Sequence, residues 1–190
     1  MTYRSLPLPR VAVLALLALS VAACGDDDAS GDLTTEEAAV LEYTNYARTD
    51  PQGFAQEFLA ELEQSGQDNG AYADLMARSP VPAVAIHAGL VRVAREHSRD
   101  MAENCGLQHD SCDGTTWDAR IRSAYSGDAI GENAAMGYPT GLSVVIGWIV
   151  DEGVPSLGHR ENLLSAGWEH MGIGLYGGSW WTQDFGAGGQ

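Results

Sequence analysis

The sequence predicts an α+β fold, and three observations carry the prediction. Apolar residues recur at helical spacing through much of the first half. The C-terminal part reads as two strands joined by a tight glycine turn. Strands and helices do not alternate as they would in βαβ units, so a parallel doubly wound sheet is not expected. No internal repeat is present.

Thr34-Thr35-Glu36-Glu37 offers a capping box, after which Val40, Leu41, Thr44 and Ala47 fall on one helical face until Thr49-Asp50-Pro51 stops the run. A second helix follows, with Phe54, Phe58, Leu59 and Leu62 together. Residues 65–70 form a polar loop, and Ser79-Pro80-Val81-Pro82 leads into an extended segment from Ala83 to Ile86. Leu90, Val93, Ala94, His97 and Met101 then trace the apolar stripe of a helix that ends at Cys105-Gly106. Thr115-Thr116-Trp117-Asp118 caps a short helix reaching Ile121 and Ala124, and Ile130 to Met136 reads as a strand. From Thr140 a further helix turns Leu142, Val145, Ile146 and Ile149 inward and ends at Gly153-Val154-Pro155. Met171–Tyr176, the turn Gly177-Gly178 and Ser179–Phe185 complete the hairpin.

The N-terminus sets the expected compartment. Arg4 and Arg10 precede an apolar run from Val11 to Ala23, shorter than the roughly 20 residues that span a bilayer. Val21-Ala22-Ala23-Cys24 resembles the lipobox of bacterial lipoproteins, in which the cysteine is acylated and becomes the new N-terminus. Residues 1–24 are therefore expected to be a lipoprotein signal, 25–33 an acidic tether, and 34–190 the folded domain. That order places the protein on the cell envelope or extracellular face, attached to the membrane through Cys24. An ordinary secretory leader ending near a cysteine is the alternative.

Cys105 and Cys112 remain, seven residues apart, in a compartment that permits disulfides. Their bridge would pin His109. Zinc held by the same segment is disfavoured, because no second Cys or His pair stands at finger spacing. The formal net charge is −16 with no lysine, and the arginines are scattered. A nucleic-acid partner is therefore not expected, since phosphate binding needs a clustered basic surface.

Thr44-Asn45-Tyr46-Ala47-Arg48, Ala94-Arg95-Glu96-His97-Ser98-Arg99-Asp100-Met101, Leu107-Gln108-His109-Asp110-Ser111, Gly131-Glu132-Asn133, Trp148, Gly158-His159-Arg160-Glu161-Asn162-Leu163, Gly172-Ile173-Gly174 and Thr182-Gln183-Asp184-Phe185-Gly186 occur in one order. In that order they resemble the CAP superfamily of cysteine-rich secretory proteins, venom antigens and pathogenesis-related proteins. The resemblance implies a three-layer α-β-α sandwich around a central antiparallel sheet, with a cleft above it. It also implies that His109, Glu132, Asp151 and His159 line that cleft, Asp151 by its place three residues after Trp148; Glu152 beside it is the substitute. In animal members such a cleft sometimes holds a divalent metal. Here the segment before His159 is short and His159 is followed by arginine, a form shared with bacterial members.

Each of these residues also has a purely structural reading. His109 and His159 would satisfy backbone groups, Glu132 would bind loop amides, and His97 on its apolar stripe would be a core residue. Arg160 and Glu161 read as a local ion pair of small value. Trp148 and Trp181 read as core, while Trp180, adjacent on a strand, points to the other face. His87 and His170 carry no signal.

Two function classes follow. The first is a non-catalytic module binding a lipid, a sterol-like amphiphile or an envelope partner, with Trp117, Trp148, Trp180 and Trp181 as candidate lining. The second is a divalent-metal-dependent hydrolase in which His109, Glu132 and His159 hold Zn²⁺ or a similar cation and lower the pKa of a bound water. No catalytic residue is assigned. Gly-x-Ser-x-Gly and His-Glu-x-x-His are both absent. Gly172-Ile173-Gly174-Leu175-Tyr176-Gly177 matches a dinucleotide fingerprint in letters, but it leads into a hairpin and not a helix, so its glycines are read as packing positions. The binding module is the preferred reading.

Overall fold

The computed structural model describes residues 32–189. The expected leader, its Cys24 and the tether as far as residue 31 lie outside the described residues. Among the described residues no helix is long and apolar enough to cross a membrane.

The capping box forms as the sequence predicts. Thr34 Oγ1 accepts the Glu37 amide at 3.3 Å, and the Glu37 carboxylate accepts the Thr34 amide at 2.9 Å. Helix α1 (Thr35–Thr49) then runs to Asp50, whose side chain caps α2 (Pro51–Phe54). The expected second helix arrives in three pieces: α2, a π-helical turn over Ala55–Leu59, and α3 (Ala60–Ser65). The wider turn alters the phase of the apolar face, so Phe54 and Leu59 are buried while Phe58 and Leu62 stay half-buried. Helix α4 (Ala71–Ala77) occupies a stretch without a strong periodic signal and inserts Ala71 and Leu75 into the core.

Helix α5 (Ala88–Asp100) continues as a π-helical turn over Met101–Cys105 and buries the expected stripe, His97 included. Helix α6 (Trp117–Arg122) follows the Cys105–Cys112 disulfide loop, which forms as anticipated. Helix α7 (Gly141–Val150) starts at a second capping box between Thr140 and Ser143. Its inward face carries Val144, Val145, Trp148 and Ile149, while Ile146 and Leu142 are only half-buried. Helix α8 (Gly158–Leu164) forms where no element was predicted; its single apolar pair, Leu163 and Leu164, is too brief to show a period.

The four-stranded sheet has the order β1-β3-β4-β2. Strands β2 (Ala129–Met136), β3 (His170–Tyr176) and β4 (Trp180–Ala187) are antiparallel, as predicted. The two-residue β1 (Ala85–Ile86) adds a parallel edge, so the sheet is mixed. Helix α5 lies against one face so closely that a Cβ on Gly172 would stand 2.2 Å from the Leu90 carbonyl carbon, and one on Gly174 2.3 Å from that of Ala94. These glycines serve packing. The opposite face, with Ile173, Trp181 and Phe185, joins the main core under α1, α7 and α8. Both Trp148 and Trp181 are buried there. The three layers leave β2 as the edge strand beside which the cleft forms.

Candidate functional site

Consecutive strand residues face opposite ways, so Glu132 and Asn133 on β2 point to different faces of the sheet. Each is linked to one of the two histidines. On the α5 side, the disulfide loop carries His109 to the strand, and its Nδ1 lies 2.7 Å from Glu132 Oε1. Arg120, from α6, donates to Glu132 Oε2, and also to the His109 carbonyl and Ser111 Oγ, both at 2.9 Å. Glu132 is thus buried between an imidazole and a guanidinium, while the His109 ring is 53% exposed. The hydrogen bond to Glu132 raises the His109 pKa above its ordinary value against the opposing effect of burial. Burial also pushes Glu132 upward, but His109 and Arg120 outweigh it and hold its carboxyl below the usual range.

On the other side, the chain turns sharply after α7. Asp151 adopts a left-handed conformation (φ 55°) as the C-cap of that helix, which aims its carboxylate back at the start of α8. Its Oδ2 accepts the His159 amide at 2.9 Å and the Arg160 amide at 3.3 Å; its Oδ1 lies 2.7 Å from His159 Nδ1. Asp151, and not Glu152, therefore holds His159. The His159 carbonyl accepts from Asn133, which continues the network to Gln183 and Asn162 at 3.1 and 3.0 Å. Gly131 makes room for this: a Cβ there would stand 2.7 Å from Asn162 Oδ1.

One cavity opens beside His159, and a second adjoins it. The smaller, about 180 Å³, is lined by Leu107, Met136, Trp148, Asp151, Val154 and His159 among others. The larger, about 640 Å³, runs between α3 and α7 past Phe58, Leu62, Ile146 and Val150. Tyr138, Gly147 and Glu152 line both.

Arg160 is not the surface partner of Glu161 that its sequence position suggests. It is buried, with Nε donating to the Ile149 carbonyl and Nη2 to those of Val150 and Asn69, both at 3.1 Å. Glu161 instead pairs with Arg78. Arg160 thereby satisfies carbonyls at the end of α7, where intrahelical donors run out. His97 is structural, as predicted: its Nε2 meets the Gln108 carbonyl at 3.0 Å, and burial lowers its pKa.

Sequence reasoning missed Arg120 and Asp184 as partners of the site. Asp184 is fully buried opposite Glu132 in the sheet register, with the Glu132 carboxyl as its charged neighbour. Burial first, then the Glu132 charge, push its pKa well above the usual range. An acidic residue within a strand, between Gln183 and Phe185, was the available signal.

The donors suited to a cation are limited. Both Glu132 oxygens are engaged, and the ligand atoms of His109, Glu132 and His159 do not all lie within 4.8 Å of one another. The one such group among the described residues is Asp100 with Cys105 and Cys112, whose sulfurs are tied in the disulfide. As arranged, the three side chains do not fit a cation as three direct ligands. The nitrogens left free on the two histidines are the Nε2 atoms, each ring being oriented by a carboxylate on Nδ1.

The profile of the cysteine-rich secretory protein (CAP) family matches residues 27–185, and the chain belongs to that family. An extracellular protein of Bacillus anthracis containing an SCP domain shares the fold, with a TM-score of 0.55 and 24% identity over 83% of this chain and 45% of its own. In Bacillus subtilis (strain 168), the uncharacterized protein YkwD is 36% identical over 98 residues, and the uncharacterized membrane protein YlbC is 34% identical over 94. These alignments cover 50% and 49% of this chain but only 36% and 25% of the relatives.

Proposed function

We propose that this chain is an extracellular, membrane-anchored binding module whose ligand is a lipid or sterol-like amphiphile. The observation that carries the reading is the junction of two unlike cavities across Tyr138, Gly147 and Glu152. The smaller ends at the His159–Asp151 pair, where an imidazole oriented by a buried carboxylate meets a polar head. The larger offers Phe58, Leu62, Ile146 and Val150 to an apolar tail. Ligand sites commonly combine an apolar lining with a few fixed polar groups. Attachment through an acylated Cys24 would keep the module beside its ligand's source.

The reading is tested by titrating the purified chain with palmitate and with cholesterol while following tryptophan emission, to which Trp148 in the smaller cavity contributes. A saturable change is expected, weakened by His159→Ala and abolished by Ile146→Asp. Absence of saturation with either probe, or an affinity indifferent to Ile146→Asp, overturns it.

The hydrolase reading draws support from one feature, the carboxylate on each histidine Nδ1, an arrangement that orients imidazoles in metal sites. If a metal is held by the Nε2 atoms, it would supply a Lewis acid. The cleft residues seen here then orient the two rings and contribute no nucleophile. Elemental analysis of the purified chain, with His109→Ala and His159→Ala as controls, decides between the two.

A further inference from the structure

Four apolar side chains that the core does not absorb gather at one end of the sheet. Met136 and Tyr176 are both register partners of Trp180, from β2 and β3 respectively, so the three form a cross-strand row on the α5 face. Met136 is 52% and Tyr176 36% exposed, and Trp180 is half-buried. Leu107, 49% exposed, shares a cavity wall with Met136 and follows the π-helical turn whose Glu103 binds the Tyr176 hydroxyl. Of the four large apolar residues exposed among those described, three belong to this patch. A grouping of this kind, with Trp and Tyr beside Leu and Met, has the composition of a membrane–water interface contact.

The entry point of the chain lies at the same end. The Asp32 carbonyl accepts from Arg95 at 2.9 Å, and Glu37, which also closes the α1 cap, accepts the Leu175 amide at 3.2 Å. Leu175 is the neighbour of Tyr176. From Cys24 to Asp32 there are eight residue steps in the sequence, a reach of at most about 28 Å. An acyl chain on Cys24 would therefore tether the domain from the side that carries Leu175 and Tyr176.

We propose that the Leu107–Met136–Trp180–Tyr176 face is a lipid-contacting surface that seats the domain on the membrane interface. This rests on the anchored reading given above. The partner is the zwitterionic lipid surface, because a chain of net charge −16 is repelled by anionic headgroups. Seated this way, the mouth of the smaller cavity, whose rim is Leu107 and Met136, opens at the lipid surface. An amphiphile would then pass from bilayer to cleft without crossing water.

The test uses the full chain, expressed in a host that processes lipoproteins and reconstituted in phosphatidylcholine vesicles carrying brominated acyl chains. Mass spectrometry of the N-terminal peptide reads acylation of Cys24 separately. Emission should be quenched by the brominated lipid, and Trp180→Phe should remove the quenched component. Leu107→Glu with Met136→Glu should weaken vesicle partitioning of unacylated Cys24→Ala protein by about tenfold with the melting temperature unchanged. Acylated Cys24 without quenching of Trp180 overturns the seating and leaves the anchor standing. Quenching without acylation supports the seating and removes the anchor. Neither effect overturns both, and a soluble dimer that Met136→Glu dissociates overturns the seating by giving this face to a second copy.

Discussion

Replacing Arg160 with methionine should be among the most damaging single changes in this domain. The guanidinium is buried and donates to the carbonyls of Ile149, Val150 and Asn69, with Asp74 at 3.6 Å. Methionine keeps much of the stem volume but leaves the Ile149 and Asn69 carbonyls without their donor, while the Val150 carbonyl keeps Asn69 Nδ2 at 3.0 Å. A buried group stranded in this way costs about 1–3 kcal/mol. Some acceptors retain partial solvation through the exposed loop after Asp151, so a total of about 4 kcal/mol is expected. With a urea m-value of about 2 kcal/mol/M, the midpoint falls by about 2 M. The same change should loosen Asp151, which caps α7 and holds His159, so the His159 imidazole resonances should broaden or shift even where the domain remains folded. A midpoint shift below about 0.5 M would refute the reasoning, because water would then have replaced the guanidinium at little cost.

Two further outcomes follow. Replacing both Cys105 and Cys112 with serine reopens a short loop; chain entropy puts the loss at about 2.4 kcal/mol, or about 7 °C in melting temperature for a domain of this size, and a calorimetric shift under about 2 °C would show that the hydrogen bonds to Asp100 and Arg120 hold the loop unaided. Because the His109 pKa is raised by Glu132, the stability it contributes is fully present below about pH 6.5 and is lost as pH rises through the folded-state value. Melting curves of wild type and His109→Gln across pH 5.5–8.5 should therefore converge toward high pH, and curves that diverge there would reverse the assigned sign.

Much of the fold was legible because the relevant signals are local. Thr34 and Glu37 build their cap within four residues, and the Leu90–Met101 stripe needs only one helix to declare itself. The hairpin is fixed by Gly177 and Gly178, both with positive φ. Helices α4 and α8 were not legible, since seven residues contain too few turns for a period and α8 is held by contacts made elsewhere. The parallel edge at β1 was equally hidden: two residues pair with a strand far along the chain.

The site divides along the same line. His109, Glu132, Asp151 and His159 could be named from their motifs, but which carboxylate meets which ring could not. Asp151 wins over Glu152 because only a left-handed residue at the end of α7 aims its side chain back at the α8 amides, and that conformation is set by the turn, not by the chemistry of aspartate. Arg160 misleads for a related reason. Beside Glu161 it reads as an exposed pair, yet the helix end it must neutralise lies ten residues upstream and the Asn69 loop ninety-one residues away. Asp184 completes the argument. At the centre of the α5 face Asp184 is fully buried, and burial first, then the charge of Glu132 across the ladder, raise its pKa, while Arg120 is held by Glu132. The half of the cleft that meets solvent is thus poised by a charge count made in the core, and that count depends on three distant segments whose contact only the folded chain reveals.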